Sequence, residues 1–175
     1  AAEQALTSFP PAGLVTPVWS FLVPRDWFVG LVARMSGDAA KARQAFTDAR
    51  AIVLRTAREQ PDYAPAESML GLIDAGLGRK TEAIAEGKRA CELLPLSKDS
   101  WEGPSYVVNL AIIDTWLGET DSALEQLALS VQQPTGISYG ELQLQPFWDP
   151  LRKDSRFQKI VASVAPRVGL EQTRQ

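Results

Sequence analysis

Carboxylates, hydroxyls, one thiol and a few glycine-rich turns are the groups in this chain that could do chemistry. The carboxylates come as scattered pairs such as Glu82 and Glu86, one helical turn apart. General acid-base work needs such a pair held in a cleft with separated pKa values, whereas these two fall on a helix face predicted to be exposed and solvated. Serine and threonine have no histidine to activate them, because the sequence contains none. No spacing that would support a Ser-Lys pair is found either. Cys91 stands alone, which removes zinc sites, Cys/His nucleophile pairs and a disulfide framework together. Next to Ala90 on a helix, it reads as a small apolar core filler. Gly76-x-Gly78 ends a helix and lacks both a preceding strand and a third glycine, so it is not a phosphate-binding loop. No catalytic residue, metal or cofactor is expected, and the chain reads as a non-enzyme.

The elements that carry these residues are set by composition and spacing. With 175 residues and 45% hydrophobic content there is ample material for a core. A net charge of −3, with both signs dispersed, offers no basic stripe to phosphates, so nucleic acid is not an expected partner. No apolar run reaches membrane-spanning length, and Pro10, Pro11, Pro17 and Pro24 interrupt the most apolar stretch, so no membrane partner is expected. A soluble protein of the reducing, cytoplasmic compartment is the expectation.

One spacing recurs three times: Gly30, Ala42, Phe46, Ala49; Gly71, Ala83, Gly87, Ala90; Ala111, Ala123, Leu127, Ser130. The steps are 12, 4 and 3 in every copy. A small residue, another one helix-turn-helix later, then partners at i+4 and i+7 describe two helices touching where side chains are small enough to let them. Gly37, Gly78 and Gly118 each fall seven residues after the first small position, where a helix end needs a left-handed residue.

This pattern resembles the tetratricopeptide repeat, with Leu-Gly on the first helix, Ala-x3-Phe on the second and a closing proline. Leu70-Gly71, Ala83, Ala90 and Pro95 carry it in the middle copy, Val29-Gly30 and Ala42-x3-Phe46 in the first. The third is weaker, with Leu110-Ala111, Ala123-x3-Leu127 and Pro134 one place early. The period is 41 and then 40 residues, counted from Gly30 to Gly71 to Ala111, against roughly 34 in the plain family. The excess lies between the motifs, which favours this family over HEAT repeats. Ala5 to Pro10 repeats the separation of Ala90 to Pro95, so the chain reads as a fragment that begins inside an earlier repeat.

The resemblance implies an all-α fold, a right-handed α-α superhelix of about eight helices in antiparallel pairs. The expected divisions are 1–10 as the end of a preceding second helix, 11–22 as linker, and repeats at 23–61, 62–97 and 98–137. Residues 138–165 form a C-terminal capping segment and 166–175 a frayed tail. Asp38 is expected to cap the helix that runs to about Glu59, with Ile52 among its apolar positions, and Ile137 to Gln145 is the only stretch that alternates like a strand. Asp149-Pro150-Leu151-Arg152, followed by Asp154-Ser155-Arg156-Phe157, resembles the ending that follows such repeats in bacterial signalling and regulatory proteins. There the array lies C-terminal to a cyclase, a Ser/Thr kinase or a winged-helix domain. Asp149 and Asp154 are candidate N-caps, and Phe147, Trp148, Leu151, Phe157 and Ile160 would cover the last repeat.

Counting from each small residue, the resemblance places groove positions at Trp27, Phe28, Leu31 and Arg34; at Ser68, Met69, Leu72 and Ala75; and at Val108, Asn109, Ile112 and Thr115, with Trp116 adjacent. The set is apolar and lacks the Lys/Asn pattern that clamps a C-terminal carboxylate, with Asn109 alone similar to it. It suits an amphipathic helix or an extended apolar segment, since Trp and Arg are frequent anchors of binding energy. The same residues stand at helical spacing, the pattern of core packing. The leading reading is a protein-protein interaction module whose partner is a protein, a peptide or an upstream domain of its own chain. The rivals are a sensor taking a small apolar molecule near Trp27 and Trp116, and a self-association module forming a homo-oligomer.

Overall fold

The computed structural model describes residue 6, residues 8–15 and residues 21–166. The expected helix end before Pro10 and the frayed tail lie mostly outside these residues. Among them the chain is all-α but for a minimal antiparallel pairing of β1 (Leu14–Val15) with β2 (Leu22–Val23), where Leu14 faces Val23. This pairing falls in the stretch expected as linker, save Val23, which opens the expected first repeat.

Six helices follow: α1 (Arg25–Met35), α2 (Ala39–Glu59), α3 (Ala64–Gly76), α4 (Lys80–Leu93), α5 (Gly103–Leu117) and α6 (Thr120–Ser130). They pack most extensively as α1 with α2, α3 with α4 and α5 with α6. Connections of two or three residues between neighbours so packed make each pair an antiparallel hairpin. Within residues 21–166 the expected helix pairs form, with ends shifted by a few residues. Asp38 caps α2 by accepting from the Lys41 N–H at 3.0 Å, as its side chain allows.

The three turns share one construction. Gly37, Gly78 and Gly118 have φ of 79°, 75° and 79°, and the next residue's N–H reaches back into the helix. Asp38 donates to the Ala33 carbonyl at 2.9 Å, Arg79 to Asp74 at 2.9 Å and Glu119 to Asp114 at 2.8 Å. A left-handed glycine stops each first helix in the same way and aims each second helix at the same place.

The small residues stand where helices cross. Phe46 of α2 is wedged between two glycines: a Cβ on Gly30 would lie 2.5 Å from its Cε1, and one on Gly76 would lie 2.8 Å from its Cε2. In the second pair a Cβ on Gly71 would meet Ile113 Cδ1 at 2.9 Å and the Ala83 carbonyl oxygen at 3.0 Å. Helices α3 and α5 are buried almost all round, from Ser68 to Ala75 and from Asn109 to Thr115. A helix apolar on every side needs neighbours on every side.

Those neighbours include the C-terminal segment: α7 (Tyr139–Leu144), a 3-10 helix (Pro146–Leu151) and α8 (Ser155–Ser163). The alternating stretch at Ile137–Gln145 is thus largely helical, started by a capping box of Ser138 and Glu141. Trp148, Leu151 and Phe157 are buried and Ile160 partly so, which gives the expected cover. Asp154 caps α8, but Asp149 lies inside the 3-10 helix and accepts from Arg152 Nε at 2.6 Å instead of capping a helix. Ile52, expected on the apolar stripe of α2, is 41% exposed, because that stripe passes through Ala49 and Val53.

Candidate functional site

The first helices of the three pairs and the C-terminal segment enclose a trough. Its deeper socket, about 360 Å³, has Trp27 and Leu31 from α1, Leu72 from α3 and Val108, Asn109 and Ile112 from α5. Its far wall is Thr135 to Ile137, Glu141, Gln145 and Phe147. A second socket of about 290 Å³ adjoins it, formed by Arg34, Met35, Trp116, Pro146, Asp149 and Pro150. Leu31 and Phe147 belong to both and divide them.

Aromatic side chains tie the trough together. Trp27, 4% exposed, stacks on Trp116 with centroids 6.1 Å apart, and Phe46 packs at 5.5 Å from Trp27. Phe147 meets the half-buried Trp116 edge-on at 5.7 Å, and Arg34 Cζ lies 4.5 Å from the Trp116 ring centroid. Polar groups are few. Asn109 donates from Nδ2 to the Ser68 hydroxyl at 2.9 Å, a buried bond that fixes the amide at the edge of the deeper socket. The Glu141 carboxylate is held by the Ser138 N–H at 2.9 Å and hydroxyl at 2.7 Å. Burial against its neighbours lowers the Arg34 pKa.

Of the groove residues expected from the sequence, Trp27, Leu31, Leu72, Asn109 and Ile112 meet at the deeper socket, and Arg34 and Trp116 at the second. Val108 joins the first group. Phe28 turns instead toward Phe9, packing edge-on at 5.1 Å. Met69, Ala75 and Thr115 are buried beneath the trough, and the Thr115 hydroxyl donates to the Ala111 carbonyl at 2.7 Å. Sequence reasoning missed the far wall. The Phe147-Trp148 pair signalled a cap, but only Trp148 is spent on capping while Phe147 enters the trough.

The carboxylate pair read as a solvated face separates. Glu82 does face solvent, accepting from Arg79 at 2.8 Å, while Glu86 turns inward against the fully buried Asp74. Asp74 is clamped by Arg50, from Nε at 2.6 Å and from the second guanidinium nitrogen at 2.9 Å. Glu86 Oε2 is buried and no hydrogen-bond donor reaches it, and burial, followed by the Asp74 charge, pushes the Glu86 carboxyl up to about 8. A hydrogen bond to Asp74 adds to the same upward shift of Glu86. Neither residue lines the trough, so this pair braces α2, α3 and α4 against one another. At the equivalent place in the third pair, Asp114 is served by the Ser122 hydroxyl at 2.6 Å. Cys91 is half-buried, and burial raises its thiol to about 11, which keeps it protonated and unreactive at neutral pH.

Among the described residues no cluster of metal-ligating side chains occurs, and no helix is long and apolar enough to cross a membrane. No family model, curated protein or solved structure matches this chain.

Proposed function

We propose that this chain is a tetratricopeptide-type interaction module, a right-handed superhelix of helix pairs that seats an apolar segment of a partner protein in the trough. The observation that carries this reading is the adjoining of two largely apolar sockets across Leu31 and Phe147. A single small molecule needs one enclosed site. An extended or helical segment presents successive side chains, and two neighbouring sockets would take two of them. Three turns of identical construction and glycine-lined crossings at the expected register support the family reading. The scaffold would act by position alone, with a rigid aromatic floor already desolvated and little side-chain entropy left to lose on binding.

A second reading, a sensor for a small apolar molecule, is favoured by the deeper socket alone. Its 360 Å³ falls at the lower end of the roughly 300–1,000 Å³ of small-molecule sites, and the Asn109 amide would orient a ligand there.

The test is a double substitution on the half-buried walls, Leu31→Glu with Val108→Glu, assayed against peptides selected on the wild-type protein from a random display library. Helicity and melting should stay close to wild type while peptide binding is lost. Ile112 is 6% exposed, and a carboxylate there would report on folding instead. Unimpaired binding by a folded double variant would place recognition on another face. Failure to select any peptide, with an apolar dye quenching the tryptophans, would favour the sensor.

A further inference from the structure

The second socket holds a cation, Arg34, that makes no ion pair with the socket's own acid, Asp149. The Arg34 guanidinium is held over the Trp116 ring, and among the described residues it has neither a hydrogen-bond acceptor nor a carboxylate within ion-pair distance. The acid that shares its socket, Asp149, is engaged by Arg152 at 2.6 Å. Arg50, Arg79, Arg89 and Arg156 all have carboxylate partners. Arg43 joins Arg34 around a hollow of about 190 Å³ beside Gly37, again without an ion pair among the described residues. The nearby Asp38 carboxylate is committed to capping α2. At one end of a largely apolar trough, the exposed Arg34 guanidinium is therefore left free to meet an anion.

We infer that the partner segment carries an acidic side chain beside its apolar anchor, and that Arg34 is the residue that reads it. This rests on the interaction reading above. The guanidinium already rests over the Trp116 ring before binding, so less rotamer freedom is lost when a carboxylate accepts from it. The sockets on either side of Leu31 supply apolar burial, and Arg34 supplies register and direction: the acid belongs at the Trp116 end and the apolar anchor at the Asn109 end. A charge-assisted hydrogen bond to Arg34 at the rim of the trough should be worth about tenfold in affinity.

Random peptides displayed against the immobilised wild-type chain, the Arg34→Gln variant and the Leu31→Glu/Val108→Glu variant test this. Wild type should enrich apolar peptides bearing a nearby Asp or Glu. A synthetic copy of the best binder should bind about tenfold more tightly than its counterpart with that acid replaced by the matching amide. Arg34→Gln should bind both copies alike, and Arg34→Lys should restore only part of the difference. No acid preference on wild type, or undiminished discrimination by Arg34→Gln, overturns the inference and leaves the trough standing. Sodium acetate competing at the peptide's own concentration would mark a free-anion site and also overturn it. Failure to enrich any peptide on wild type, or equal enrichment on the Leu31→Glu/Val108→Glu variant, overturns the interaction reading and this inference together.

Discussion

Trp27 and Trp116 stack with centroids 6.1 Å apart and planes 29° from parallel, joining α1 of the first helix pair to α5 of the third across the second. Phe46 packs on both, at 5.5 and 6.5 Å. The floor of the trough is thus part of the core, and fold and site share residues.

Trp27→Ala should cost about 3–5 kcal/mol in denaturant unfolding, as expected for a buried aromatic, and the half-buried Trp116→Ala less. The two losses should fall short of additive by about 0.5–1.5 kcal/mol, the part owed to the ring pair. Strict additivity would show that the stack contributes no stability of its own.

The wedge of Phe46 gives a sharper contrast. Gly30→Ala and Gly76→Ala push a methyl onto opposite edges of one ring, which cannot yield to either side, and each should cost about 1–3 kcal/mol despite alanine's better helix propensity. Adding Phe46→Leu to Gly30→Ala should cost less than the sum of the two. Gly71→Leu and Ala83→Leu should also destabilise by about 1–3 kcal/mol, while Ala39→Leu, on an exposed position, should do little. Equal denaturant midpoints for all these variants and wild type would contradict the helix-pair assignment.

The turns and crossings were legible because they depend on residues a fixed distance apart along the chain. Glycine at Gly37, Gly78 and Gly118 is a local backbone requirement, and small residues at Gly30, Gly71 and Ala111 mark crossings wherever a helix pair repeats. The near wall of the trough follows by the same counting, through Trp27, Leu31, Asn109 and Ile112. The far wall does not. Phe147 reaches Leu31 only because Trp148 and Leu151 anchor the 3-10 helix on α5, a long-range packing that no spacing encodes. Glu86 was misread for a similar reason: its helix face looks polar, but Arg50 of the previous pair and the buried Asp74 turn that face inward.

That inward turn has a pH signature. The folded-state pKa of Glu86, about 8, lies above its ordinary value of 4.5, so the folded state binds more protons between them. The stability this carboxyl confers is complete below about pH 4.5, declines as pH rises and is gone above about pH 8. The facing groups are Asp74, Arg50 and Glu67, with Arg79 also within ion-pair distance of Asp74 and Glu82 held outside by Arg79. Glu86→Gln, which keeps a donor for Asp74 without a charge, should melt above wild type at pH 8.5, with the gap narrowing toward pH 5. The difference between the two proteins cancels the other carboxylates, including Asp154, whose pKa of about 2 contributes with the opposite sign. A gap independent of pH would mean that Glu86 is charged in the folded protein.

The trough between α1, α5 and the C-terminal segment is the proposed seat of a partner's apolar segment. Amide chemical-shift mapping of the ¹⁵N-labelled protein, titrated with the tightest peptide selected on it, tests this most directly. The largest shifts should fall on Leu31, Val108, Asn109 and Phe147, with the Trp27 and Trp116 indole N–H signals moving in the same titration. Shifts clustered instead around Cys91, Pro95 and Leu129, which line a separate cavity of about 550 Å³ between the second and third pairs, would contradict it.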